Sequence, residues 1–176
     1  MNSSTGKNEC ITCEFQENLN MLREVSFFAE LPLEQIKLVA YLATRETFKQ
    51  GDYLFHQGDD DGQAFYFMSG GCDLVREGCG ENGEMVVGGY EPGDFIGGFA
   101  LLGSMPRVFS LRAGSETMCL VLGREKFAKA MEPFPEVLPR VLQAVIDGVR
   151  HWEERFCRDP GEMCEYCRDK VGVSLL

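Results

Sequence analysis

Histidine is scarce: His56 and His151 are the only two in 176 residues. Two imidazoles leave little room for general acid–base work, and no nucleophile–base pairing is signalled around a cysteine or serine. An enzyme is therefore not expected. Long apolar runs are missing too, since none approaches the roughly 18–20 residues that would cross a bilayer. The opening "MNSSTGKNECITCEF" lacks the apolar core of a signal peptide, which points to a cytoplasmic protein. Positive charge is the third shortage. Lysine and arginine number 17 against 28 aspartates and glutamates, a formal net charge of -11 at pH 7. Broad binding to DNA, RNA or an anionic membrane draws on a basic patch, so none of these partners is expected. An anionic ligand would need local donors that overcome the acidic field.

What is present suits one domain with a real core, with 44% hydrophobic and 26% charged residues. Residues 1–14 read as a polar tail. From Phe15 to about Leu42 the apolar residues Leu19, Leu22, Ile36, Val39 and Leu42 fall at helical steps, and Pro32 divides the stretch into two helices. Between Thr44 and Gly123, short apolar or alternating runs are separated by glycine- and aspartate-rich turns. That pattern predicts an antiparallel sandwich or barrel. "DDDG" (Asp59–Gly62) lacks the alternating ligands of a calcium loop and reads as a hairpin turn. Cys72, Cys79 and Cys119 sit in or beside strands, where packing is their expected role. His56 is expected in a solvated loop and His151 on a helix surface.

"REKFAKAM" (Arg124–Met131) reads as a short helix after the last strand. A longer helix is expected from Glu136 to about Phe156. Its apolar stripe runs through Val137, Leu138, Val141, Leu142, Val145, Ile146, Val149 and Trp152. The stripe can pack on the same chain's β-structure or pair with a second copy, so a homodimer through 136–156 is a reasonable expectation. Residues 157–176 form a cysteine-containing tail.

Three stretches sharpen this outline. "LREVSFFAELPLEQIKLVAYLATRETFKQGDYLFHQGD", "FYFMSGGCDLV" and "GDFIGGFALLGSMPRVFSLRA" resemble, in order, the opening helices and first strands, the turn before the central hairpin, and the phosphate-binding cassette of cyclic-nucleotide-binding domains. The resemblance, to the sensor domains of catabolite-activator-type regulators and kinase regulatory subunits, covers about Leu22 to Phe156. It implies a mainly β fold: an eight-stranded jelly roll with short N-terminal helices and a long C-terminal one, in a domain spanning 15–156. It also implies a regulatory role and cyclic AMP or cyclic GMP as ligand. No helix-turn-helix follows the long helix, so output through a protein partner or a dimer is expected, not through an operator.

The cassette implied by the resemblance comprises Gly97, Gly98, Phe99, Ala100, Arg107 and Val108. A glycine turn lets backbone approach a ligand, a short helix presents unpaired N–H groups, and an arginine supplies a forked contact to phosphate. Gly97, the short helix Phe99–Leu102, Pro106 and Arg107 match the family pattern. Gly98 stands where the family has a glutamate that accepts from the ribose 2′-hydroxyl, and Val108 stands where it has a small or hydroxyl residue. Losing a hydrogen bond to a charged group costs roughly 1.5–3 kcal/mol, or about one to two decades of affinity. Two readings follow. In one, the pocket still binds cyclic AMP, cyclic GMP or a related phosphate. In the other, Arg107 is a structural ion pair and the roll is a scaffold.

Eight cysteines are many for a reduced compartment. "CITC" (Cys10, Cys13) and "CEYC" (Cys164, Cys167) could together supply four thiolates for zinc or an iron–sulfur cluster, with Cys157 as a replacement or fifth ligand. Chain ends often lie close together, which makes such a site geometrically feasible. Glu9, Glu14, Glu162 and Glu165 flank the pairs and raise thiol pKa, which favours a bound cation over thiol–disulfide chemistry. The alternative function is thus a metal- or redox-responsive protein using the roll as a rigid body; the plain alternative is two independent tails.

Overall fold

Glycine and aspartate punctuate the middle of the chain in a repeating way. Lys49–Asp52, His56–Asp59 and Glu91–Asp94 each have the form x-x-Gly-Asp. In the computed structural model each is a tight turn. Its glycine has φ of 91°, 94° and 98° respectively, and its aspartate Oδ2 accepts from the first residue's N–H at 2.8 Å. A positive φ at the third turn position is what demands glycine there. Each of these corners carries the chain from one sheet to the other.

The structure describes residues 5–29, 31–78, 83–135, 139, 142–143 and 146–147. Helix α1 (Thr5–Glu24), a 3-10 turn (Ser26–Phe28) and helix α2 (Leu33–Leu42) come first. Eight strands follow: β1 (Thr44–Phe48), β2 (Tyr53–Phe55), β3 (Gln63–Ser69), β4 (Cys72–Glu77), β5 (Glu84–Tyr90), β6 (Phe95–Ile96), β7 (Ser110–Ala113) and β8 (Thr117–Gly123). Helix α3 (Gly98–Leu102) interrupts them between β6 and β7, and α4 (Arg124–Met131) closes the roll. The strands form two antiparallel sheets, β1-β8-β3-β6 and β2-β7-β4-β5, the mainly β roll that the sequence predicts.

Two strands of one sheet, β3 and β8, are buried on both faces. In β3, Phe65 and Phe67 enter the roll interior, while Ala64 and Tyr66 belong to the core beneath the helices. In β8, Cys119 and Val121 face inward, and Leu120 and Leu122 face the helices. Burial on both sides explains why "MCLVL" reads as a continuous apolar run. Phe55, Phe65, Phe67, Phe109 and Leu111 fill the interior beside Cys72 and Cys119. Each such side chain contributes roughly 1.5–3 kcal/mol of burial.

Three expectations change or fall away. Helix α1 begins at Thr5, not near Phe15, so Cys10 and Cys13 lie on a helix and not in a polar tail. No proline interrupts those first turns, so the helix continues past its apolar anchors into residues that carry no periodic signal. Asp59–Gly62 is not a hairpin turn, because β2 and β3 belong to different sheets and this loop crosses between them. Finally, most of 136–156, including His151, lies outside the described residues, as do Cys79, Cys157, Cys164 and Cys167. Of Cys10 only the backbone is described.

Candidate functional site

Strand β6 pairs with β3 through Phe65–Ile96 and Tyr66–Phe95, which delivers the chain at Gly97 to the start of α3. Gly97 has φ 92°, ψ 15° and stands at the N-cap. A Cβ there would lie 2.5 Å from the Gln63 carbonyl oxygen and 3.1 Å from Arg107 Nη1. Both the backbone conformation and the space therefore require glycine. Gly98 is glycine for a different reason: a Cβ there would lie 2.8 and 2.9 Å from two carbons of the Phe27 ring.

Arg107 approaches the same corner from the connector before β7. Its backbone is held by the crossing loop, donating to the Asp59 carbonyl and accepting from the Gly58 N–H, both at 2.8 Å. Its guanidinium grips the Asp61 carboxylate, with Nε to Oδ1 at 3.1 Å and Nη2 to Oδ1 and Oδ2 at 2.8 and 3.1 Å. Nη2 also donates to the Gln63 carbonyl. The guanidinium carbon lies 4.0 Å from the centroid of the Phe55 ring. The Arg107 and Asp61 side chains are 5% and 18% exposed. Burial pulls the Arg107 guanidinium down from its ordinary pKa, and the charge of Asp61 opposes that shift.

The neighbouring carboxylate serves another purpose. Asp60 accepts from Ser104 Oγ at 2.5 Å and from the Met105 N–H at 3.4 Å, in the connector after α3. It also pairs with Arg124, the first residue of α4. Arg124 Nε donates to the Ala100 carbonyl at 2.6 Å.

Of the expected cassette residues, the structure brings Gly97 and Arg107 together. Gly98 backs onto Phe27, Phe99 packs against the helical core, and Ala100 is buried with its carbonyl on Arg124. Val108 packs against the roll interior, and its carbonyl accepts from Arg76 Nη1 at 2.7 Å. Sequence reasoning missed Asp60, Asp61, Arg124 and Phe27. The acidic run was visible, but its partners lie far off along the chain. Among the described cysteines, Cys13 is exposed and Cys72 and Cys119 are buried. Among the described residues, no group of three or more histidine, cysteine, aspartate or glutamate side chains is placed to hold a metal ion.

The cyclic nucleotide-binding domain family matches residues 45–133. The cAMP-dependent protein kinase regulatory subunit of Hypocrea atroviridis is 35% identical over 122 residues, 69% of this chain and 25% of its own length. The chain thus spans only about a quarter of that relative. A cyclic nucleotide-binding-like protein from Brucella abortus superposes with a TM-score of 0.60 at 27% identity, over 66% of this chain and 98% of that one. The N-terminal domain of a transcriptional regulator from Streptomyces coelicolor gives 0.65 at 28% identity, over 77% and 93%. The strand order, the glycine corner beside Arg107 and the match over half its length agree: the chain belongs to the cyclic nucleotide-binding domain family.

Proposed function

We propose that this chain is a non-enzymatic regulatory module of the cytoplasm whose cassette is closed by its own anion, the carboxylate of Asp61. The forked, shielded Arg107–Asp61 pair carries this reading. A ligand phosphate has to displace a carboxylate that already satisfies the guanidinium. Position 98 offers no acceptor for a sugar hydroxyl, and the Phe27 ring fills the space a side chain there would take. The phosphate half of the site fits an anion only after Asp61 moves, and the ribose half does not fit at all. Each missing charged hydrogen bond weakens a cyclic nucleotide by about one to two decades.

Output passes to a protein partner or a second copy of the chain. The net charge of -11 disfavours nucleic acid, and the relatives are named as regulatory subunits and regulators. Leu142 and Ile146, one helical turn apart in the expected dimer stripe, are 56% and 51% exposed, which supports a contact there. No described helix is long and apolar enough to cross a membrane.

Calorimetric titration with cyclic AMP and cyclic GMP tests the closed cassette. The expected result is no binding below about millimolar ligand. Asp61→Asn should recover binding of the phosphate group by at least tenfold, or about 1.4 kcal/mol. Micromolar binding to the unmodified chain would overturn the reading.

A further inference from the structure

We propose that the free edge of β5 docks an extended segment of a partner protein, one that carries β-branched residues and, about four positions further on, a lysine or arginine. This surface is separate from the cassette, and docking there stands whether or not the cassette binds a nucleotide.

The two sheets have four edge strands, β1, β6, β2 and β5. Proteins usually blunt such edges, because a row of unpaired N–H and C=O groups invites another strand. Strand β6 has only 2 residues and β2 only 3. Strand β1 is charged, and its Arg45 is fastened to α1 through Asn18 and Glu17. Strand β5 is the longest of the four, with 7 residues, and contains no proline, lysine or arginine. Val86 within it is 55% exposed.

The register fixes which backbone groups are free. The Gly78 N–H donates to the Gly83 carbonyl at 2.9 Å, so these two residues form a hydrogen-bonded pair. Such pairs alternate along an antiparallel ladder. Arg76–Met85 is therefore the next bonded pair, while Glu77–Glu84 and Val75–Val86 are not bonded across the ladder. The N–H and C=O of Glu84 and Val86 are thus directed away from β4. Among the described residues no strand pairs with that side. The register then shifts between Val86 and Gly88, opposite Val75 and Leu74, so an added strand that pairs along Glu84–Val86 leaves the edge there.

Beyond the shift, at the end of the same sheet, lies a depression of about 550 Å³. Gly71, Gly89 and Gly114 line it without side chains, and Asp73, Glu91 and Asp94 supply three carboxylates. Arg112 partly neutralises Asp73 at 3.9 Å and Glu84 at 3.2 Å. Among the described residues no cation pairs with Glu91 or Asp94. A lysine or arginine is the side chain whose charge complements this depression. About four residues, or roughly 13 Å of extended chain, separate it from Val86 and set the spacing of the two anchors. A second copy of the chain suits the edge poorly. Two chains of net charge -11 pairing through β5 would place Glu84 and Glu91 of both at the seam, and like charges across strands destabilise.

Selection of phage-displayed random peptides of about nine residues against the full chain tests this. The selected sequences should combine valine, isoleucine or threonine with lysine or arginine about four positions away. By NMR, the synthetic peptide should slow exchange of the Glu84 and Val86 amides at least about tenfold and leave the Leu120 amide of β8 unchanged. Val86→Pro removes a donor that faces away from β4, a position where an edge strand tolerates proline. It should weaken peptide binding at least about tenfold, and Glu91→Lys should weaken it about fivefold. Should Val86→Pro fail to fold, Glu91→Lys and the exchange pattern decide. Failure to select any peptide, selection of peptides without a basic residue, or protection centred away from β5 would overturn the proposal. So would conversion of a dimer to a monomer by Val86→Pro in light scattering, which would make a second copy the occupant of this edge.

Discussion

The ring of Phe27 lies against the α-carbon of Gly98, so that a single methyl group added at position 98 would sit 2.8 Å from Cδ2. Phe27 has little freedom to swing aside. Its ring makes an edge contact with Phe28 at 5.0 Å and tilted contacts with Phe95 and Phe127 at 5.6 and 6.1 Å. Gly98→Ala should therefore destabilise the fold by about 1–3 kcal/mol, the usual cost of overpacking. Gly98→Glu should cost at least as much without gaining a sugar contact. Adding Phe27→Leu should return part of the loss. Urea unfolding of the four chains reads all of this, and a fully stable Gly98→Ala would mean that the contact is soft.

Asp61 and Arg107 differ in what their removal leaves behind. Asp61→Ala strands a buried guanidinium, which typically costs about 3–5 kcal/mol. Arg107→Met removes the charge and keeps apolar contact with the Phe55 ring, so the double variant Asp61→Ala/Arg107→Met should be more stable than Asp61→Ala alone. Denaturation midpoints decide it. Additive losses would mean that the two side chains are not a unit.

How much of this was legible depended on distance along the chain. The x-x-Gly-Asp turns could be read because their chemistry is complete within four residues. The strands of the roll showed through alternation, and Gly97 and Arg107 through one contiguous motif. The role of Asp61 could not be read, since it stands 46 residues from Arg107. A loop crossing between sheets has the same local composition as a hairpin turn, so "DDDG" gave no sign of which it was. The substitution at Gly98 read as a missing side chain, and only packing reveals that Phe27 fills the place. The early start of α1 was hidden because its first turns hold a single aliphatic residue, Ile11, which makes no periodic pattern.

The buried cysteines should be chemically silent. Burial pushes the Cys72 thiol up to about 11, against a partial lowering by Thr117. Burial, with the nearby Cys72, pushes Cys119 up to about 12. Thiolate is the reactive form, so brief iodoacetamide treatment of the native protein near neutral pH should label Cys13 and spare these two. Unfolding in urea should expose both. Mass spectrometry of the labelled peptides checks this, and native labelling of Cys72 at the rate of Cys13 would contradict the packing described.

Asp60 gives the fold a pH dependence of defined sign. The hydrogen bond from Arg124, followed by that from Ser104, lowers its pKa from 3.8 to about 2. A carboxylate that is more acidic in the folded state stabilises the fold above its unfolded pKa, and this contribution disappears as pH falls through the folded value. The stability gap between the unmodified chain and Asp60→Asn should therefore be constant at neutral pH. It should narrow between pH 3.8 and about 2. In Arg124→Gln, carbon NMR of the Asp60 carboxyl should show its titration moving back towards 3.8, with a smaller shift in Ser104→Ala. Equal shifts in the two variants would make Ser104 as strong a partner as Arg124 and would weaken the tie between this loop and α4.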